Sequence, residues 1–209
     1  MLPDYAALIR EFTGDETPVT AVNDTDRRIL DATRDLVGTY GERRVTIDDI
    51  AAAARVGRAT VFRRFGSKEQ VLARMYEREL REASRLLRAS LTDPEDAVDA
   101  ITQGFLALLE HAQSHPVSRH LASAEPERLV AQFRDGEPPG LQLLRTLLVS
   151  LVADLPGSDE LDTRALDELA DLLGHLILAY QLVPRSEHPD HQRPAPEIVR
   201  RIANAVLAR

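Results

Sequence analysis

Residues 46–69 read Thr46-Ile-Asp-Asp-Ile-Ala-Ala-Ala-Ala-Arg-Val-Gly-Arg-Ala-Thr-Val-Phe-Arg-Arg-Phe-Gly-Ser-Lys-Glu69. Thr46 followed three residues later by Asp49 has the form of a capping box, which opens a helix by satisfying orphan backbone donors. That helix runs to Ala54. Arg55-Val56-Gly57 leaves room only for a tight turn, and a second short helix spans 58–65 before Gly66 stops it. Small residues at 51–54 let another helix approach closely, while Ile50 and Val56 plug the gap between the two. Two capped helices of about eight residues across such a turn form a helix-turn-helix.

Helical spacing divides the second helix into faces. Val61 and Phe65 point inward, toward a small core with Ile29, Leu36, Ile47 and Ile50. Arg58, Ala59, Phe62 and Arg63 form the outward face, which joins an aromatic ring to two arginines. Arginine bonds bidentately to guanine, and an apolar group touches the thymine methyl, so this face has the chemistry to read bases. Thr46, Thr60, Arg64 and Lys68 lie at helix starts or flanks, where hydroxyls, cations and backbone N–H groups meet phosphates.

The charge distribution agrees with this reading. The chain has 209 residues and a net charge of -8. Residues 1–24 carry one Arg against five acids, 25–90 carry 15 Lys and Arg against 10 acids, and 91–209 carry 10 against 19. Positive charge is thus concentrated in one third of an acidic chain, as expected of a polyanion-binding module on an acidic body. The absence of Cys excludes disulfides, thiolate metal sites and a Cys nucleophile. No G-x-S-x-G, phosphate-cradling loop or H-E-x-x-H occurs, so no enzyme is expected. His188-Pro-Asp-His191 reads as a solvated connector, and neither metal nor cofactor is expected. No apolar run is long enough to span a bilayer, and the N-terminus lacks a signal pattern, so the expected location is the cytoplasm.

Outward from the motif the periodicity is helical almost throughout. Residues 1–24 read as an N-terminal extension, with Tyr5, Leu8, Ile9 and Phe12 on one side of a short amphipathic segment. A helix over 25–40 places Ile29, Leu30, Ala32, Thr33, Leu36, Val37 and Tyr40 on its apolar side. Ser67 with Gln70 opens a long helix to Ser90. Further helices are expected at 93–114, 116–123, 126–133, 140–154, 162–182 and 195–208. The fold class is all-α, with a three-helix helix-turn-helix domain over 25–70 joined to a helical domain over 71–209.

The residues Ile50-Ala51, Ala54, Val56, Thr60-Val-Phe-Arg-Arg-Phe65, Ser67-Lys68-Glu69 and Leu72 resemble the TetR family of one-component repressors. The resemblance covers roughly residues 25–75. It implies a homodimer, an inverted-repeat operator of double-stranded DNA, and release by a small-molecule effector. By position it assigns Arg58, Ala59, Phe62 and Arg63 to bases and Thr46, Thr60, Arg64 and Lys68 to phosphates. Three residues depart from the family's pattern: Arg55 stands where Gly is usual, Gly57 where Ser or Thr caps, and Phe62 where Tyr is usual. If the turn needs a positive φ, Arg55 strains it by about 1 kcal/mol.

The resemblance further implies that the last two long helices form the dimer interface, here through Leu169, Leu173, Leu176, Ile177, Ile198, Ile202 and Val206. The ligand-binding and dimerisation domain would hold its effector among Phe105, Leu109, Leu121, Phe133, Leu144, Leu148, Leu172 and Tyr180, with His120 and His175 as orienting polar groups. Such an apolar lining suits a small lipophilic ligand. A second reading stays open on Arg55: a dimeric interaction protein of the same fold whose degenerate helix-turn-helix no longer binds DNA.

Overall fold

The computed structural model describes residues 23–131, 133, 139–153, 155, 161–183 and 195–207; residues 1–22 of the expected N-terminal extension and the His188–His191 loop lie outside them. Ten helices are described: α1 (Asp24–Tyr40), α2 (Ile47–Ala53), α3 (Arg58–Phe65), α4 (Lys68–Ser90), α5 (Ala97–Ser114), α6 (Pro116–Ala124), α7 (Pro126–Ala131), α8 (Pro139–Val152), α9 (Thr163–Leu182) and α10 (Ala195–Leu207). No strand occurs among the described residues, as the helical periodicity implied. No helix there is long and apolar enough to cross a membrane.

The chain divides into two compact units. The first comprises residues up to Glu82 together with Ser114–Ala124, and the second comprises Ala83–Gln113 and Glu125–Arg209. Thus α6 groups with the helix-turn-helix, although more than forty residues of helix lie between them in the sequence.

In the first unit, Ile29, Ile50, Val61, Val71 and Met75 are fully buried, with Leu36, Val56 and Phe65 packed partly against them. Val71 and Met75 show that the start of α4 closes this core. Tyr40 departs from its expected apolar side and is 54% exposed. It lines an open groove with Leu36, Ala54 and Arg55. Full burial along α1 ends at Val37, and Thr39 and Tyr40 in the last turn are exposed.

The position of α6 depends on Gly38. A Cβ there would lie 2.5 Å from Pro116 Cβ and 2.9 Å from the Pro116 carbonyl carbon. Val117 joins the core beneath, and Leu121 packs against it. Beside this contact, His115 Nε2 lies 2.9 Å from Glu79 Oε2, and Arg78 bridges Glu79 and Asp31. Burial pushes the Glu79 carboxyl up, but the hydrogen bonds from His115 and Arg78 outweigh it and hold the group at about 2.

In the second unit, α9 packs between α8 and α10 and also meets α7. Ile101, Phe105, Leu148, Leu169 and Leu173 are buried in its core. Gly104 permits close packing, since a Cβ there would lie 2.6 Å from Leu151 Cδ1. Helix α5 begins at Ala97 rather than at the expected Asp93. Asp93 takes φ +45°, and Asp96 instead accepts the Asp99 N–H at 2.8 Å, so the N-terminal cap falls three residues later.

Candidate nucleic-acid interface

The motif is assembled from local hydrogen bonds. Thr46 Oγ1 accepts the Asp49 N–H at 3.2 Å, and Asp49 Oδ2 accepts the Thr46 N–H at 2.9 Å and its hydroxyl at 2.6 Å. These bonds hold the Asp49 carboxyl below the usual carboxylate range. The capping box is complete, and such a cap contributes about 1 kcal/mol.

Helix α2 ends in a Schellman motif. The Val56 N–H donates to the Ala51 carbonyl at 3.0 Å, and the Arg55 N–H donates to that of Ala52 at 3.1 Å. This pattern demands a left-handed residue after the last helical turn, and Arg55 occupies it with φ +55°. The non-glycine residue therefore strains the turn without breaking it. Val56 is tucked against the core, which offsets that cost. Gly57 then caps α3 in extended geometry with no side-chain bond.

On α3, Val61 is fully buried and Phe65 half-buried, while Arg58, Ala59, Phe62 and Arg63 are exposed. Phe62 is 40% exposed, so an aromatic ring stands in the outward face. The Arg58 guanidinium lies over that ring, with Cζ 5.3 Å from its centroid. Arg58 Nη1 also donates to Asp48 Oδ1 and Oδ2 at 2.9 and 2.7 Å. Arg64 pairs with Asp26 of α1 at 2.9 Å. Among the described residues, Arg43, Arg44, Arg55 and Arg63 are exposed without an ion pair. Thr46 is exposed and Thr60 and Lys68 are half-buried around the same helix, with Ser67 accepting the Gln70 N–H at 3.3 Å behind Lys68.

Sequence reasoning missed the Asp48–Arg58 and Asp26–Arg64 pairs. Both join exposed residues on different helices, so no periodicity signals them. Arg43 and Arg44, two adjacent arginines just before the Thr46 cap, also lie in the basic third of the chain.

The residues expected around an effector divide between the units. His120 and Leu121 belong to the first, and Leu121 packs on the helix-turn-helix core. Phe105, Leu109, Leu144 and Leu148 belong to the second, where they are buried. Phe133 and Leu144 both lie close to Gly174, and Tyr180 is half-buried.

Helix α9 buries some residues expected at an interface and exposes others expected in a pocket. Leu169 and Leu173 are fully buried and Ile177 is 9% exposed, so the unit's own helices already cover these expected interface residues. Leu172, expected in a pocket, is 47% exposed, and His175 is exposed with Nδ1 bonded to the Asp171 carbonyl at 2.8 Å. Apolar residues cover more than half of this helix's circumference, so periodicity alone did not choose the inward stripe. Leu176, Ile198 and Ile202 are half-buried, whereas Val206 is buried beside Val199 and Ala203.

Residues 29–75 match the family described as bacterial regulatory proteins, tetR family. The HTH-type transcriptional regulator AlkX of Mycobacterium tuberculosis is 34% identical over 116 residues, covering 53% of this chain. The chain spans about half, 54%, of that relative's length. The fold is similar to the TetR family repressor AlkX of a Dietzia strain, at 18% identity and TM-score 0.53, over 87% of this chain and 95% of that one. It is also similar to the fatty acid degradation regulator FadR of Bacillus halodurans, at 20% identity and TM-score 0.57, over 88% and 95%. The match to the tetR family is thus confined to the helix-turn-helix domain, and beyond it the likeness is one of fold.

Proposed function

We propose that this protein is a TetR-like transcription regulator, a repressor that binds an inverted-repeat operator as a homodimer and leaves it when a small lipophilic effector binds. In this reading residues 25–70 bind DNA in the cytoplasm, residues 71–209 carry the effector and the dimer contact, and residues 1–24 are an extension. The observation that carries it is the arrangement of α3: Arg58, Ala59, Phe62 and Arg63 face outward while Val61 is fixed beneath them. A lone recognition helix binds too weakly for regulation, and two-fold operators mirror a two-fold protein. The intact Schellman bonds favour this reading over a degenerate motif, because Arg55 keeps the geometry that glycine would give.

The effector's class is supported by the apolar residues Phe105, Leu109, Phe133, Leu144 and Leu148 in the second unit. The Dietzia repressor is implicated in biodegradation of n-alkanes, which points to an aliphatic compound here as well. A ligand favouring one of two dimer shapes lowers operator affinity by its differential affinity for the two. For the dimer contact, Leu172, Leu176, Ile198 and Ile202 are the surface this chain offers, since Leu169, Leu173 and Ile177 are already covered. The test is sequencing of genomic DNA captured by the protein. An enriched inverted repeat with half-site centres about 10 bp apart, or a multiple of that, supports the reading. Capture with no enriched sequence overturns it.

A further inference from the structure

Asp48 is an acidic residue on the face that would meet a polyanion. It stands in the first turn of α2, while the cap of that helix is made by Thr46 and Asp49, so capping does not explain it. Both its oxygens accept from one nitrogen, Arg58 Nη1, at 2.9 and 2.7 Å. The side chains of Arg58 and Asp48 are 60% and 64% exposed. In water such a pair contributes little to stability. Its consequence is geometric.

We infer, resting on the DNA-binding reading above, that Asp48 is a specificity-determining residue that aims Arg58 at a guanine. A guanidinium has five N–H donors in a rigid fork. With Nη1 held by the carboxylate, the edge carrying Nε and Nη2 remains. Those two donors are parallel and match O6 and N7 of guanine. The Phe62 ring, 5.3 Å from Arg58 Cζ, limits rotation of the guanidinium plane from the other side. Asp48 and Phe62 thus restrict a flexible arginine before DNA arrives, which lowers the ordering cost of the base contact. The carboxylate also repels phosphates, so it weakens binding to every sequence while sharpening the choice among them.

The experiment uses the full chain and a pool of duplex oligonucleotides with a randomised centre. Affinities are then measured for the selected duplex and for its single-base variants. Arg58→Ala identifies the position that Arg58 reads. There the wild type prefers guanine by roughly tenfold or more. Asp48→Asn, nearly isosteric, and Asp48→Ala are expected to reduce that preference to about twofold. Preferences at the other positions stay as in the wild type, and affinity for unrelated duplex is equal or higher. Unfolding curves that coincide with the wild type's exclude misfolding, and Asp48→Glu is expected to restore part of the preference. An undiminished guanine preference in Asp48→Asn overturns the inference while leaving DNA binding intact, as does an equal relaxation at all positions. A wild type that selects no sequence overturns the DNA-binding reading itself, and this inference with it.

Discussion

Replacing Arg55 by glycine is expected to stabilise the protein. Arg55 holds φ +55° at the position of the Schellman motif that glycine fills without steric cost. An L residue there costs about 1–2 kcal/mol from Cβ against the neighbouring carbonyl. Glycine removes that cost but gives the unfolded chain more freedom, which takes back several tenths of a kcal/mol. The net gain is about 0.5–1 kcal/mol, or roughly 1–4 °C in Tm for a chain of this size. Arg55→Ala is the control, because it removes the same charge and keeps the Cβ and the strain. Thermal and urea unfolding of the three full-length proteins, followed by circular dichroism, should rank glycine above arginine and alanine, with the latter two close together. If glycine and alanine gave equal stability, backbone strain at residue 55 would be refuted. The same variants separate the role of charge. Both should lower the salt dependence of DNA binding equally if the exposed guanidinium meets a phosphate, by about 0.9 in the log–log slope.

Thr46→Ala removes the capping box and should cost about 1 kcal/mol in urea unfolding, with Thr46→Ser keeping most of it. Gly38→Ala places a Cβ against Pro116 backbone as well as side chain and should cost about 1–3 kcal/mol, read as a lower Tm. Glu79→Gln should flatten the acid limb of stability. The folded carboxyl sits at about 2 against an ordinary 4.5, so its contribution is complete above pH 4.5 and is lost as pH falls toward 2. The wild type should therefore lose more stability than the variant between pH 4.5 and 2, and parallel curves would count against the His115–Glu79–Arg78 network.

The helix-turn-helix was legible because each of its signals is local. Thr46 and Asp49 are three residues apart, Val61 and Phe65 four, and Gly66 ends α3 at φ +79°. The strain at Arg55 could also be anticipated, since the turn's conformation follows from its hydrogen bonds rather than from its residue. What was not legible depends on contacts distant in sequence. The packing of α6 on α1 rests on one glycine meeting Pro116, and neither residue marks the other in the sequence. The exposed pairs Asp48–Arg58 and Asp26–Arg64 join separate helices. On α9, Leu172 and Leu173 are adjacent and chemically identical, yet one is exposed and the other buried. Only the neighbouring helices decide between them. Leu121 illustrates the same limit, since its short helix has a clear apolar side but nothing to say which unit that side would join.

In the proposed function, α3 reads operator sequence through Arg58 and Arg63. Its most direct test is the binding isotherm of the selected operator for the wild type and Arg58→Ala/Arg63→Ala, taken across a range of salt. Loss of two bidentate base contacts predicts at least about 30-fold weaker specific binding, with affinity approaching that for unrelated duplex. Unchanged operator affinity and unchanged salt dependence in the double variant would mean that these arginines do not read the operator.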